Sequence, residues 1–236
     1  NSMSLAYFNK ALDGFMESKF ESVFHWYDQD QNDKRDDTLT IETPVNGKDG
    51  EVSGYEFQVN HVANYLPGAF SGLGAQANYT QTKSTQESGF SELDGSKLPI
   101  RSLSENSYNF VLFYDKYGFN FRAAYNYRDE NYQGPSNAGA DLGVYIESET
   151  VDQLTGELTS QFIEKSIQIP VWNDEFETLD VSMSYRWDNI TFFAQGTNIL
   201  SEASRRYVGD KESTKHLLRF LRDTGANYTM GVRVNF

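Results

Sequence analysis

Ala226-Asn227-Tyr228-Thr229-Met230-Gly231-Val232-Arg233-Val234-Asn235-Phe236 closes the chain, and its reading decides the fold. Small or apolar side chains fall at every even position, while Asn227, Thr229, Arg233 and Asn235 fall at odd ones. An extended backbone with this pattern is greasy on one face and polar on the other. Its length matches the roughly 9–11 residues that a tilted strand needs to cross a bilayer, and it stops on an aromatic. A strand of a soluble sandwich alternates in the same way, so the rest of the chain must choose.

The 236 residues suffice for one large β domain or two small ones. Aromatics reach 15%, with 15 Tyr and 17 Phe, yet no window approaches the apolar run of a membrane helix. A helical membrane protein is excluded, whereas a β-barrel hides its hydrophobicity in alternation. With no cysteine there is no disulfide framework, thiolate nucleophile or thiolate metal site. A net charge of −14 argues against a nucleic-acid partner, which needs a clustered basic face. The acid gathers in loop-like runs such as Asp28, Asp30, Asp33, Asp36 and Asp37, read as solvated loops. The Gly72/Gly74 pair lacks a following helix pattern, and the Asp28–Asp33 run lacks the Gly and distal Glu of a calcium loop. The chain opens within a strand-like pattern and shows no signal peptide.

Taken in order, Met3, Leu5 and Tyr7 alternate with Ser2, Ser4 and Ala6, and a weaker strand runs from Phe15 to about Phe24. Thr38 to Thr43 extends that hairpin. Tyr55 to Tyr65 is a long alternating strand, turned at Leu66-Pro67-Gly68-Ala69 into Leu73 to Tyr79. His61 in that row reads as an interfacial or packed side chain. A loop from about Thr82 to Ser104 precedes a clear hairpin, Tyr108 to Tyr114 and Phe119 to Tyr127, turned at Asp115-Lys116-Tyr117-Gly118. A long loop, about Asp129 to Glu175, leads to Leu179 to Trp187 and, across Asp188-Asn189, to Ile190 to Gly196. Residues Lys215 to Arg222 fit a helical turn or a short strand equally well.

Connections thus alternate between short and long, and sorting loops by edge is what an outer-membrane barrel does with its periplasmic turns and extracellular loops. Tyr65, Phe70, Tyr114, Phe119, Trp187 and Phe236, near strand ends, would form an interfacial girdle. The count is about nine strands, an odd number where barrels of this kind are even, so upstream strands are expected to be missing. Thr229, Gly231, Val234 and Phe236 resemble the C-terminal signal by which the barrel-insertion machinery recognises such proteins.

A family resemblance follows from a series of short motifs. They are Leu5-Ala6-Tyr7-Phe8-Asn9-Lys10, Pro44-Val45-Asn46-Gly47 with Val52-Ser53-Gly54-Tyr55-Glu56, Gly72 to Thr80, Ala124-Tyr125-Asn126-Tyr127-Arg128, Gly196-Thr197-Asn198-Ile199-Leu200 and the closing strand. In order and spacing they resemble the C-terminal barrel region of TonB-dependent outer-membrane receptors. The resemblance implies an all-β, antiparallel transmembrane barrel of about 22 strands with a plugged lumen. Residues 1–236 would be its C-terminal part, with the plug domain and upstream strands absent. It further implies uptake of a ferric siderophore, cobalamin or an oligosaccharide across the Gram-negative outer membrane. The partners would be outer-membrane lipid, that ligand, and the TonB complex acting through the missing N-terminal region.

The polar face supplies Gln58, Asn60, Gln76, Asn78, Asn109, Arg122, Asn126, Arg128, Gln195, Asn227 and Arg233 as lumen residues. The loops offer Trp26, Tyr27, Tyr132, Tyr145, Trp172, Arg205, Arg206 and Tyr207 as a pool for ligand contact, since aromatics stack on sugar faces or chelate rings and Arg pairs with carboxylates. Two other classes compete. A small barrel hydrolase needs a nucleophile with a His base, and His25, His61 and His216 stand beside no such signature, so no catalytic residue is expected. A soluble β-sandwich binding module would make the sorted loops and terminal Phe236 coincidental. No metal or cofactor site is expected.

Overall fold

The computed structural model describes residues 1–14, 16–26, 36–87, 89–136, 145–151, 158–164, 169–209 and 217–236. Among the described residues every regular element but one is a strand. In chain order they are β1 (Ser2–Leu12), β2 (Met16–Trp26), β3 (Asp36–Asn46), β4 (Gly50–Val62), a 3-10 turn (Gly68–Gly72), β5 (Leu73–Gln86), β6 (Asn106–Lys116), β7 (Phe119–Arg128) and β8 (Asn131–Ser136). There follow β9 (Tyr145–Val151), β10 (Leu158–Glu164), β11 (Ile169–Asn173), β12 (Phe176–Trp187), β13 (Ile190–Thr197), β14 (Ser204–Val208), β15 (Leu218–Arg222) and β16 (Asn227–Val234). No helix among the described residues is long and apolar enough to cross a membrane.

Eight strands make one antiparallel sheet in the order β1-β4-β5-β6-β7-β12-β13-β16. Because side chains alternate along each strand and paired residues point the same way, the register sorts the sheet into two faces. One face gathers Leu5 with Phe57, Ala77 with Phe110, Leu112 with Ala123, Phe121 with Met183, and Phe192 with Val232. Its large side chains are exposed, Leu5 at 74% and Met230 at 82%. The opposite face is polar, with Ser4, Gln58, Asn78, Asn109, Asn126 and Thr178 in a single row across six strands. Glycines let aromatic rings lie flat on the polar face. Gly54 faces Phe8, Gly74 faces Phe113 and Gly231 faces Phe193 across the strands, and a Cβ added at Gly231 would meet Phe193 Cζ at 2.6 Å.

At one end the strands are joined tightly. Tyr117 and Gly118 turn β6 into β7 with φ of 55° and 77°, the left-handed pair of a type I′ hairpin, whose twist suits the strands. Gly118 is needed twice, for its φ of 77° and because a Cβ there would meet Arg186 O at 2.8 Å; its carbonyl accepts from Arg186 N at 2.8 Å. Asp188, at φ 56°, turns β12 into β13. Between β4 and β5 the link is a one-turn 3-10 segment, Gly68–Gly72, wider than the tight Leu66–Ala69 turn expected.

At the other end the long connections are not loops. The β1–β4 register (Leu12 with Gly50) continues without slip into β2–β3 (Met16 with Asn46), so β2 prolongs β1. The strand expected from Phe15 to Phe24 is therefore the outer half of the first hairpin, and the main sheet has eight staves; Phe15 itself lies outside the described residues. The segment expected as a loop from Asp129 to Glu175 contains β8, β9, β10 and β11, with β9 paired to β10 and β8 to β11. The β12–β13 pairing likewise extends into β11–β14, and β15-β14-β11-β8 form a four-stranded sheet beyond the main one. Leu218–Arg222 resolves as a strand.

The buried part of the molecule sits in this outer sheet, where Leu98, Tyr132, Trp172 and Tyr207 form one cluster and Ile169, Val171 and Val208 another.

Candidate functional site

The polar face is the first functional surface. All the lumen residues expected from sequence, from Gln58 and Asn60 to Asn227 and Arg233, fall on it by register. Amides along it bond to each other rather than standing alone. Asn109 Nδ2 donates to Asn78 Oδ1 at 2.8 Å, Asn126 Nδ2 to Thr178 Oγ1 at 3.4 Å, and Asn60 Nδ2 to Ser2 Oγ at 3.2 Å. Such a surface suits water or a polar partner and could not face lipid.

On the same side, residues 89–105 fold into a strap rather than the free loop expected after Thr82. Strand β5 first runs on to Gln86. The strap then forms its own turn, with Ser91 N bonded to Ser96 O at 2.8 Å, and is tied down by Leu98 N to Gly89 O at 2.8 Å and Ser102 N to Tyr132 O at 2.7 Å. Asp94 closes the turn by accepting from Ser96 N at 3.1 Å and Ser96 Oγ at 2.8 Å. Hydrogen bonding from the Ser91 hydroxyl, and next from Ser96, holds its carboxyl below the usual 3.8.

Three members of the ligand-contact pool meet beneath the strap. Tyr132, Trp172 and Tyr207 are exposed by only 4%, 7% and 2%. The Tyr132 and Trp172 rings lie 5.6 Å apart, Trp172 Nε1 donates to Gly209 O at 3.0 Å, and the Tyr207 hydroxyl donates to Glu130. Burial gives them a packing role, and they anchor the strap to the outer sheet. A cavity of about 300 Å³ remains between strap and sheet, lined by Thr82, Ser84, Lys97, Glu105 and Trp172 among others. Arg205 lies on this side, 44% exposed and paired with Glu202 at 2.8 Å. Arg206 points to the opposite side, where Asn173 Oδ1 accepts from its Nε. Trp26 ends β2, while Tyr27 lies outside the described residues.

The closing-strand residues Thr229, Gly231 and Val234 all lie in β16, an edge of the main sheet paired only with β13. Phe236 follows, fully exposed. The sequence reading missed a second aromatic row. Tyr7 and Tyr55 (5.1 Å apart), Tyr79, and the stacked Tyr108 and Tyr127 (4.8 Å) stand on the apolar face toward the long hairpins, opposite the end that carries Tyr65, Phe70, Phe119 and Trp187. Tyr79 donates to Asn106 Oδ1 at 2.6 Å and Tyr127 to Glu175 Oε2 at 3.1 Å, so each ring is apolar-side and each hydroxyl has a polar partner. The signal was present in the Tyr spacing, but no turn marks that height on strands that continue past it. His61 stands on the apolar face, its Nε2 3.3 Å from the Tyr65 hydroxyl.

A wall apolar on one face, polar on the other, tightly turned at one end and drawn into hairpins at the other is a segment of a membrane-type antiparallel β-barrel. No family model matches the sequence, and no curated protein does. Two solved structures are similar. The ferric-catecholate import receptor Fiu of E. coli, in its closed form, aligns over 99% of this chain with 15% identity and a TM-score of 0.53. P. aeruginosa FpvA bound to an iron-loaded heterologous pyoverdine aligns over 99% with 11% identity and a TM-score of 0.49. The chain spans about a quarter of either receptor, 25% and 24%. The likeness to Fiu shows the fold alone, that of a stretch of antiparallel β-barrel wall.

Proposed function

We propose that this chain is the C-terminal part of the barrel of an outer-membrane receptor that imports a scarce nutrient with TonB-coupled energy. The observation that carries the reading is the apolar face, on which Leu5, Phe57, Phe110, Met183, Phe192, Met230 and Val232 are all exposed across the eight-stranded sheet. Water would not tolerate so broad a patch, for monomeric soluble proteins rarely expose more than a few hundred Å² of it. A β-sandwich would bury that face against a second sheet, which makes the soluble binding module the weaker reading. The two aromatic rows then mark the two interfaces, the tight turns face the periplasm and the hairpins face outward. Fiu imports ferric catecholate by its title, and an iron chelate, cobalamin or oligosaccharide is the cargo class proposed here. Arg205, on the polar side and exposed, is the pool member best placed to meet it. The closing strand, Thr229 to Phe236, serves the insertion machinery.

The test is an immunoblot of fractionated cells with antibody to this region. An outer-membrane band several-fold larger than 26.9 kDa supports a receptor barrel joined to further strands and a plug. A band of 26.9 kDa confined to the aqueous fraction sinks the proposal and returns the soluble module.

A further inference from the structure

Beyond the tyrosine row, on the side of the sheet continuous with the apolar face, β14 and β15 carry charge of the sign opposite to the chain's overall −14. Arg206 pairs with Phe220 and Ser204 with Arg222, so the two arginines are diagonal neighbours on one face. Arg206 shares that face with Asn173, its partner in β11. Continuity with the apolar face follows from Glu175, two residues beyond Asn173, which accepts from Tyr127 of the tyrosine row.

Arg206 is fixed before any ligand arrives. Its Nε donates to Asn173 Oδ1 at 3.0 Å, and its guanidinium lies 5.2 Å from the Phe220 ring centre. Asn173 is itself held by donating to Asn131 Oδ1 at 2.8 Å and Gln133 Oε1 at 2.9 Å. The outer nitrogens of Arg206, and Arg222 as a whole, have no ion pair among the described residues. Carboxylates do lie on that side, but Asp129, Glu175 and Glu177 accept from Asn106, Tyr127 and Tyr125. On the arginines' face Phe220 is exposed by 42%, while the register shift after Arg206 pairs Leu218 with Tyr207 and turns it to the other face. A guanidinium laid on an exposed aromatic ring and a second arginine one step nearer the tyrosine row match a headgroup layer, where guanidinium forks meet phosphate.

We propose that Arg206 and Arg222 bind the phosphate of a lipid headgroup in the leaflet beside the long hairpins, with Phe220 packed against Arg206 at the same height. The proposal rests on the membrane reading above. Asn173 is a positioning residue, orienting Arg206 without touching the lipid.

The test uses the complete polypeptide extracted from membranes in an uncharged maltoside detergent, titrated with phosphatidylglycerol and followed by native mass spectrometry. Diacylglycerol and inorganic phosphate serve as separate arms. Phosphatidylglycerol should bind and weaken as salt rises, with Arg206→Gln and Arg222→Gln each lowering affinity about fivefold. Asn173→Ala should lower it less, and Arg122→Gln, on the polar face, should leave it unchanged. Equal binding by diacylglycerol, or lipid affinity indifferent to both arginines in a protein that remains membrane-borne, overturns this site alone. Inorganic phosphate competing at the lipid's own concentration would make it a free-anion site and also overturn it. Burial of this face by a neighbouring strand, seen as protection of Phe220→Cys from maleimide in lipid-free detergent, does so as well. A polypeptide found only in the aqueous fraction overturns the membrane reading and this site with it.

Discussion

Asn198 shows what a single side chain does at the exit of a stave. At φ 50° it takes the left-handed conformation that Asn tolerates better than most residues. Its backbone N–H donates to Asp180 Oδ1 at 2.8 Å, its Nδ2 to Glu202 O at 3.0 Å and Gly225 O at 3.3 Å, and its Oδ1 accepts from Glu202 N at 3.1 Å. The residue thereby ties the end of β13 to the approach to β16. Asn198→Ala should cost about 2–4 kcal/mol, from lost hydrogen bonds and a strained backbone, read as a lower urea midpoint in detergent. The Gly196–Leu200 motif was legible as a family mark, but its reason was not, since Asp180 and Gly225 are distant in sequence. Asp94 gives a pH-dependent counterpart. Its carboxyl is depressed in the folded strap, so the stabilisation it lends is present above 3.8 and is lost as pH falls through the folded value. Amide protection at Ser96 should therefore fall on acidification below pH 4, and Asp94→Asn should flatten that dependence.

Strands reveal themselves in sequence only while their two faces differ. The eight staves were legible because lipid-type and polar side chains alternate along them, Tyr108-Asn109-Phe110 being typical. That contrast ends where both faces meet a polar environment. Tyr145-Ile146-Glu147-Ser148-Glu149-Thr150-Val151 and Leu158–Glu164 lack a clean apolar–polar alternation in sequence, so β9 and β10 read as loop although they pair residue for residue. The strap was equally hidden, because its anchors Leu98, Tyr132 and Trp172 come from separate parts of the chain. Tyr132, Trp172 and Tyr207, offered for ligand contact because aromatic rings stack on sugar faces or chelate rings, lie in this buried cluster with Leu98. Trp172→Ala should destabilise the strap and outer sheet by about 3–5 kcal/mol, with faster exchange at Leu98 and Ser102. Exchange in the main sheet, at Leu112 and Ala123, should stay slow, because that pairing does not depend on the cluster. Uniform acceleration everywhere would mean that wall and hairpins unfold as one unit.

At the scale of the molecule, two faces with opposite solvents make opposite demands on neighbouring residues. Met230 and Thr229 are adjacent in β16 and paired with Ala194 and Gln195, one pair on the apolar face and the other on the polar face. If the apolar face meets hydrocarbon, an arginine there must be desolvated or must drag water inward, at about 2–4 kcal/mol near the midplane, while an arginine on the polar face stays hydrated. Met230→Arg should therefore lower the folded fraction in lipid vesicles sharply, and Thr229→Arg should leave it nearly unchanged, when both are followed by urea titration of tryptophan emission. The contrast is specific to a membrane. In a soluble sandwich the apolar face would be a packed core, and Met230→Ala would by itself cost about 2–5 kcal/mol through the cavity it leaves. In lipid, acyl chains refill the space that a shortened side chain vacates, so Met230→Ala should cost far less than Met230→Arg. The ratio of these two costs at one position separates lipid from protein as the partner of the apolar face, without knowledge of the ligand or of the strands beyond β1 and β16.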